Sequence, residues 1–288
     1  MKPAPFDYVA ARSAAEAVAH LARHGDEAKV LAGGQSLVPM LNMRLARPGI
    51  LVDINGAGEL DYLRESNGVL ALGALVRQRA LERWAAGRAP LLSEALRAVG
   101  HTAIRNRGTV AGNIAHADPA SELPAILLLC EGSVVARSPR GERVVPASEL
   151  FVAPLTTSLR PDELVIEVRL PLPRPDAGWG FAEVARRHGD FALVGAAALM
   201  WRDNGRVAGA RLAFFGVGGT PARAIAGEGA LTGHEATAAR VAEAARLAAA
   251  GLSPDGDLHA TADYRRRVAE VLGGRVLTAA LERERRTV

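Results

Sequence analysis

Residues 28–55, AKVLAGGQSLVPMLNMRLARPGILVDIN, decide the fold of the N-terminal part of the chain. The apolar run Ala28–Ala32 predicts a short strand, and Ile50–Ile54 predicts a second one. The stretch Gly33–Ser36 breaks the first strand, and the apolar residues that follow it recur at helical spacing. The sequence therefore predicts a strand, a glycine loop, a helix and a second strand, in that order.

The loop Ala32–Ser36 has the composition of a phosphate-binding turn. Two glycines after a strand let the main chain adopt a positive φ and approach a ligand without a Cβ in the way. Main-chain N–H groups followed by a helix N-terminus can hold a phosphate, and Gln35 and Ser36 add side-chain hydrogen bonds. The loop has neither the Rossmann nor the Walker pattern. Taken alone, it is also explained by a tight turn that only connects two elements.

A second stretch, Arg107–Asn113 (RGTVAGN), again combines small residues, a hydroxyl and an amide. It lies in a polar, glycine-punctuated segment between His101 and Ser121 that is predicted to be irregular, and long irregular segments in a compact domain are usually functional. Two small-residue loops suit a dinucleotide, because its pyrophosphate is doubly negative and needs many N–H donors. His116 and Asp118 could suggest a metal, but two polar residues on a loop, with no third ligand nearby in sequence, are the simpler interpretation.

The composition is that of an ordinary globular protein. Of the 288 residues, 49% are hydrophobic and 23% are charged, and the net charge is +4. The basic residues are spread along the chain and aromatic residues make up only 4%, so no nucleic-acid-binding stripe is predicted. No apolar run reaches the roughly 18 residues that span a bilayer, and the N-terminus lacks the apolar core of a signal peptide. We therefore expect a cytoplasmic protein without a transmembrane segment.

Cysteine usage limits the redox chemistry that this chain can perform by itself. Cys130 is the only cysteine. One thiol cannot form an intrachain disulfide, and it cannot hold a cysteine-ligated iron–sulfur cluster. Any redox chemistry of this chain therefore requires an organic cofactor.

A proline-rich segment, Pro171–Asp176, predicts a stiff linker after the first part of the chain. Beyond it, three strand-like runs joined by short turns predict an antiparallel meander. We expect two helices after the meander and a charged tail, Glu282–Arg286, that frays. The strand-like runs are Phe181–Arg187, Phe191–Arg202 and Arg206–Gly216, and the helices are Glu235–Ala250 and Ala262–Leu281.

The two glycine-bearing loops, in this order and at this separation, resemble those of the FAD-binding medium subunit of molybdenum-containing hydroxylases. That family includes the aerobic carbon monoxide dehydrogenases and is related to the flavin domain of xanthine dehydrogenase. The resemblance covers nearly the whole chain. It rests on Ala28–Asn55, Ile104–Cys130 (IRNRGTVAGNIAHADPASELPAILLLC), Phe181–Val194 (FAEVARRHGDFALV) and, more weakly, Asp257–Leu272 (DLHATADYRRRVAEVL).

The resemblance implies an α+β protein with FAD in a cleft between its parts. The FAD-binding domain would be residues 1–175, with α/β subdomains of about 1–55 and 56–175. A smaller C-terminal domain, 176–288, would contain a three-stranded antiparallel sheet and helices.

The resemblance also implies roles for individual residues, although it implies no catalytic side chain and no metal ligand in this chain. Ala32–Ser36 and Thr109–Asn113 would hold the pyrophosphate, Glu122 would lie near the ribitol or ribose hydroxyls, and Phe191 would border the isoalloxazine ring. The expected cofactor contacts are Leu31, Ala32, Gly33, Gly34, Gln35, Ser36, Leu37, Thr109, Val110, Ala111, Gly112, Asn113, Asp118, Glu122 and Phe191.

Two positions depart from the family pattern. The second loop has Ala111-Gly112 where the family commonly has paired glycines. Glu183 stands where some relatives carry a lysine, so a charge contact from that lysine to the cofactor is not expected here.

The implied assembly is a heterotrimer with two partner chains. A large subunit would bind the molybdenum cofactor and the organic substrate, and a small subunit would carry iron–sulfur clusters. The flavin would receive electrons from those clusters and pass them to a quinone, NAD or oxygen. Two alternatives stay open: a self-contained flavin oxidoreductase of the same fold that acts on a small molecule, and a non-catalytic assembly module whose glycine loops only make turns.

Overall fold

The computed structural model describes residues 1–285. The glycine loop follows a strand of its first sheet. The sheet has three parallel strands in the order β1-β3-β2. Its strands are β1 (Asp7–Ala10), β2 (Ala28–Leu31) and β3 (Ile50–Asp53), and its helices are α1 (Ala14–His24) and α2 (Leu37–Asn42). The predicted strand, glycine loop, helix and strand are confirmed.

The second sheet is antiparallel, and Leu164–Pro171 forms its middle strand. The order is β4-β5-β10-β6-β7, with β4 (Leu63–Ser66), β5 (Val69–Gly73), β6 (Ser133–Ser138), β7 (Gly141–Pro146) and β10 (Leu164–Pro171). A small hairpin of β8 (Phe151–Ala153) and β9 (Thr156–Thr157) lies beside it. The helices of this part are α3 (Gln78–Ala85), α4 (Pro90–Ala98), α5 (Thr102–Arg107), α6 (Val110–His116), α7 (Glu122–Leu129) and α8 (Ala147–Leu150).

The segment between His101 and Ser121 is more regular than expected. It contains the short helices α5 and α6, so the expectation of an irregular stretch is wrong for most of it. The side chain of Thr109 caps α6 by accepting a hydrogen bond from the N–H of Gly112 at 3.0 Å. A seven-residue helix is marginal by itself, so α6 depends on this cap and on the burial of Val110, Ala111 and Ile114.

The third sheet has four antiparallel strands in the order β11-β12-β13-β14. Three of them form the predicted meander, and the short fourth strand pairs with β13. The strands are β11 (Gly178–Ala185), β12 (Ala192–Asp203), β13 (Arg206–Phe215) and β14 (Ala222–Arg223), and the helices are α9 (Ile225–Leu231), α10 (Ala238–Ala250) and α11 (Ala262–Arg285).

Helix α11 packs closely on β11, because Gly178 and Gly180 have no side chain at the points where the helix main chain approaches. The helix continues to Arg285, so the expectation that the chain frays from Glu282 is wrong for Glu282–Arg285. The last residue of that expectation, Arg286, lies outside the described residues.

The α+β architecture expected from the sequence is confirmed. The second and third sheets contact each other through α7, where Ala125 packs with Phe215 and Phe181. A salt bridge of 2.6 Å also joins Arg211, in β13 of the third sheet, to Glu131, which lies between α7 and β6 of the second sheet. Within residues 1–285, no helix combines the length and the apolar character that crossing a membrane requires.

Candidate functional site

A cleft of about 580 Å³ lies where the three sheets meet. The loop after β2, the turn between α5 and α6 with the first part of α6, strand β10 and the loop between β11 and β12 all contribute to its walls. A cleft of this size matches the space that a large organic cofactor occupies.

Most of the residues expected to contact a cofactor line this one cleft. Leu31, Val110 and Asp118 are not among the lining residues: Val110 is buried in the core, and the carboxylate of Asp118 accepts a hydrogen bond from the N–H of Ala120 at 2.9 Å. Cofactor contact by these three stays a prediction. The expected residues that line the cleft are Ala32, Gly33, Gly34, Gln35, Ser36, Leu37, Thr109, Ala111, Gly112, Asn113, Glu122 and Phe191.

The two glycine-bearing loops are in contact. A Cβ built on Gly33 would lie 2.5 Å from the carbonyl oxygen of Arg107, 2.7 Å from the Cα of Gly108 and 2.9 Å from the main-chain nitrogen of Thr109. Real Cβ atoms are not found at such distances from main-chain atoms, so glycine at this position lets one main chain pack directly on the other. As a result, the loops form one continuous wall.

The first loop offers unused hydrogen-bond donors to the cleft. Within residues 1–285, no main-chain N–H group of residues 33–36 donates to another group of the chain. Gly34 has a φ of 71°, a conformation that glycine adopts at little cost. Ser36 precedes α2, and its hydroxyl makes no capping hydrogen bond. Free N–H groups at such a turn attract an anion.

A side-chain bridge links the main chains of the two loops. The guanidinium of Arg77 donates through Nη1 to the carbonyl oxygen of Arg107 and through Nη2 to Asn55 Oδ1, each at 2.6 Å. Asn55 Nδ2 in turn donates to the carbonyl oxygen of Ala32 at 2.9 Å. Neither Arg77 nor Asn55 lines the cleft, so the bridge positions the loops from behind.

Asp53 holds the bridging asparagine in place. Its Oδ1 accepts from the main-chain N–H of Asn55 at 2.8 Å, and its Oδ2 accepts from the hydroxyl of Tyr8 at 2.7 Å. Burial alone would raise the pKa of Asp53, but these hydrogen bonds and the charge of Arg77 lower it below its ordinary value. The carboxylate therefore stays ionised and keeps accepting both hydrogen bonds.

Helix α6 forms with Ala111 in place of a glycine. Ala111 is buried in the first turn of α6 and lines the cleft. Next to it, Gly112 packs against the cap, because a Cβ there would lie 2.6 Å from Thr109 Oγ1. The helix is tied to α7 by the hydroxyl of Ser121, which donates to Asn113 Oδ1 at 2.8 Å.

Two carboxyl groups near the cleft have raised pKa values. Glu122 is 5% exposed and lines the cleft, and burial raises its pKa to about 8, with the charges of Glu183 and Asp118 adding to the effect. Burial also raises the pKa of Glu183 to about 7, and its Oε2 has no hydrogen-bond partner among the described residues. Where a lysine would place a positive charge, this chain therefore has a weakly acidic carboxyl.

Phe191 reaches the cleft from the third sheet and is 68% exposed. The loop before Phe191 packs against the residue that precedes α5. Gly189 has a φ of 83°, and a Cβ there would lie 2.7 Å from the imidazole of His101. The rings of His101 and His188 are also stacked, with centroids 6.5 Å apart. These contacts position the loop that leads to Phe191.

Several lining residues were not anticipated from the sequence. One of them is Gln78, the first residue of α3. Others come from the segment between the β8–β9 hairpin and β10. Gln78 lies on the buried face of an amphipathic helix. A polar residue at a position that is usually apolar was the sequence signal that could have identified it as a site residue. The residues near β10, Leu155, Leu159 and Leu164 among them, are apolar side chains of a kind that any core contains.

Comparison with known families decides the assignment. A sequence profile described as "FAD binding domain in molybdopterin dehydrogenase" matches residues 4–173, and one described as "CO dehydrogenase flavoprotein C-terminal domain" matches residues 179–280. The chain belongs to the FAD-binding medium subunits of the molybdenum hydroxylases. FAD is the cofactor of this subunit.

Relatives of this medium subunit match over nearly their full length. The 6-hydroxypseudooxynicotine dehydrogenase complex subunit alpha of Paenarthrobacter nicotinovorans is 43% identical, with 100% of this chain and 98% of the relative covered. The caffeine dehydrogenase subunit beta of Pseudomonas sp. (strain CBB1) is 41% identical, with 98% and 97% covered. Both are named as subunits of larger enzymes.

A solved structure has the same fold. The carbon monoxide dehydrogenase from Hydrogenophaga pseudoflava, in a form that lacks the Mo-pyranopterin moiety of the molybdenum cofactor, matches with a TM-score of 0.95 and 38% identity. The match covers 98% of this chain and 99% of the other.

Proposed function

We propose that FAD lies in the cleft with its diphosphate between residues 33–36 and residues 109–113. The contact of Gly33 with the main chain of residues 107–109 carries this proposal, because it brings both loops to one wall. The free N–H groups of the first loop and the capped start of α6 match a doubly negative diphosphate. In this placement Glu122 lies near a sugar hydroxyl, and Phe191 covers the flavin ring.

Bound FAD supplies the redox chemistry, since it can exchange electrons singly or in pairs. The chain's own residues bind it, orient it and limit its contact with water. We propose that electrons arrive from iron–sulfur clusters on a small partner subunit and leave to an external acceptor, which is a quinone, NAD or oxygen. The organic substrate and the molybdenum cofactor belong to a large partner subunit.

The state of the lone cysteine supports a partner as the source of electrons. Cys130 is buried, and burial raises its pKa to about 12. Iron–sulfur clusters are held by thiolates, usually four of them. This chain therefore cannot supply the ligands of such a cluster, and an electron donor of that kind lies on another chain.

Cofactor content and thermal stability test the FAD site. We expect the purified chain to be yellow, to release FAD on denaturation and to bind it again as apoprotein with a higher melting temperature, because a ligand that binds only the folded state stabilises it. Replacing glycine at the loop contact (Gly33→Ala) should reduce this shift, and the matched Gly229→Ala, where a Cβ meets nothing of residues 1–285 within 4 Å, should keep it.

The same protein separates the alternatives. Bleaching of the bound flavin by a small organic substrate with no partner present would favour a self-contained oxidoreductase. A colourless chain whose melting temperature does not respond to FAD would favour an assembly module. Co-purification of a tagged chain with a molybdenum-containing and an iron–sulfur subunit supports the heterotrimer, and isolation of a fully active single chain contradicts it.

A further inference from the structure

Gln78 has a polar atom without a hydrogen-bond partner among residues 1–285. Its side chain is 3% exposed, its Oε1 accepts no hydrogen bond from the described residues, and it lines the cleft. An amide oxygen buried without a partner destabilises a folded protein, so buried polar groups are nearly always paired. An exception on the wall of a binding cleft indicates that a ligand completes the pairing.

The surrounding main chain holds this amide in place. The N–H of Gln78 donates to the carbonyl oxygen of Gly108 at 2.9 Å. Gly108 also leaves room for the side chain, because a Cβ there would lie 2.8 Å from Gln78 Oε1. The Cα of Gly108 is in turn a contact point of Gly33, which places the amide beside the junction of the two loops.

The chemistry of the junction selects the ligand group. Phosphate oxygens only accept hydrogen bonds, and so does an amide oxygen; the diphosphate itself cannot satisfy Gln78 Oε1. On both sides of the diphosphate, FAD carries hydroxyl groups, on the ribityl chain and on the ribose. We propose that Gln78 binds the cofactor by accepting a hydrogen bond from one of these sugar hydroxyls. This inference rests on the proposed position of FAD.

Ligand titration of the apoprotein tests the role of Gln78. In Gln78→Met, which keeps the length of the side chain and removes its polar atoms, FAD should bind about 5- to 30-fold more weakly than in the wild type, the effect of one lost hydrogen bond. The melting temperature of the apoprotein should stay the same or rise, because the substitution removes an unpaired buried group. A structural role for the amide would give the opposite change in melting temperature.

Two fragments of FAD identify the hydroxyl. A loss of ADP affinity in Gln78→Met with unchanged FMN affinity assigns the ribose, and the reverse assigns the ribityl chain. The control Ser93→Ala removes another buried polar group, on α4 and away from the cleft, and should bind FAD as the wild type does.

Two results would overturn the proposal: FAD affinity of Gln78→Met within about twofold of wild type, or an apoprotein that fails to fold or melts more than about 5 °C lower. A wild-type apoprotein that binds FAD while Gln78→Met also binds it fully would leave the proposed function standing and reject only the role of Gln78. If the wild type binds neither FAD nor ADP, the proposed function fails as well.

Discussion

The Cα of Gly33 lies so close to the second loop that an added Cβ would be 2.5 Å from the carbonyl oxygen of Arg107. The requirement for glycine at this position is steric, since its φ is not among the positive values, whereas Gly34 has a φ of 71°. Two neighbouring glycines therefore serve different purposes. One lets two main chains touch, and the other lets the loop turn.

A methyl group at this contact should separate the loops. In Gly33→Ala, main-chain atoms on both sides must move, because neither is the end of a flexible side chain. We expect FAD affinity to fall by at least about tenfold and the free energy of unfolding of the apoprotein to fall by about 1–3 kcal/mol, the usual cost of overpacking. Isothermal titration and urea unfolding measure the two effects.

The matched control for this substitution is Gly229→Ala. It adds the same methyl group in α9, where no atom of the described residues lies within 4 Å, and alanine favours a helix by up to about 1 kcal/mol over glycine. We expect unchanged FAD binding and equal or greater stability. Full FAD binding by Gly33→Ala would contradict the steric argument.

Arg77 should affect the cofactor without touching it. Its guanidinium reaches the carbonyl oxygen of Arg107 and Asn55 Oδ1 at once, which a single ammonium group cannot reproduce with the same geometry. We expect both Arg77→Lys and Arg77→Met to weaken FAD binding by about tenfold, with a loss of apoprotein stability of only about 1 kcal/mol, typical of partly exposed hydrogen bonds. Asn55→Ala should have a similar effect.

A control for charge is Arg88→Met, at an exposed arginine that lies over the Trp84 ring. It removes the same positive charge away from the cleft, so FAD binding should be retained. A double variant that combines Arg77→Met with Asn55→Ala provides a further check, because it shows whether their effects on FAD binding add. Because both residues belong to one bridge, the double variant should lose little more than either single variant, and full additivity would argue against a shared bridge.

Local patterns predicted the first loop, whereas the bridge could not be predicted. Residues 28–54 alternate between apolar runs and a glycine break, so their strand, turn and helix depend on neighbours in the chain. The bridge joins Arg77 to Asn55, 22 positions earlier, and to Arg107, 30 positions later. Two of the acceptors in this bridge are main-chain carbonyl oxygens. Every residue has such an oxygen, so the residue type gives no sign that it takes part in the bridge. The same holds for Gln78, because the orientation of its side chain depends on how α3 packs.

Thr109 should stabilise the second loop through its hydroxyl. The side chain is buried, and Oγ1 accepts from the N–H of Gly112 at 3.0 Å. Thr109→Val keeps the shape and removes the acceptor, so the free energy of unfolding should fall by about 1–2 kcal/mol, the effect of losing an N-cap. Thr109→Ser keeps the hydroxyl and should lose less than about 1 kcal/mol, mostly from the missing methyl group. Chemical denaturation of the two apoproteins makes the comparison, and equal losses would exclude the cap as the cause.

Glu122 should make the stability of the apoprotein depend on pH. Its pKa in the folded state, about 8, lies above the ordinary value of 4.5 because burial disfavours the charged form. Between these values the folded state binds more protons than the unfolded state, so the free energy of unfolding falls as the pH rises. The contribution of the neutral carboxyl is complete below about pH 4.5 and is lost as the pH rises through about 8.

Glu122→Gln tests this dependence because it is neutral at every pH. We expect the stability of Glu122→Gln relative to the wild type to increase by about 2–4 kcal/mol between about pH 5 and pH 8, since one pKa unit corresponds to about 1.4 kcal/mol. Glu183, whose pKa is raised to about 7, leaves part of the pH slope in the variant. The control Glu94→Gln also replaces a carboxylate by an amide, at an exposed site on α4 that does not line the cleft, and should keep the pH dependence that Glu122 produces. A parallel profile for Glu122→Gln as well would mean that the carboxyl of Glu122 is already ionised at neutral pH, and it would then meet the cofactor as an anion that only accepts hydrogen bonds.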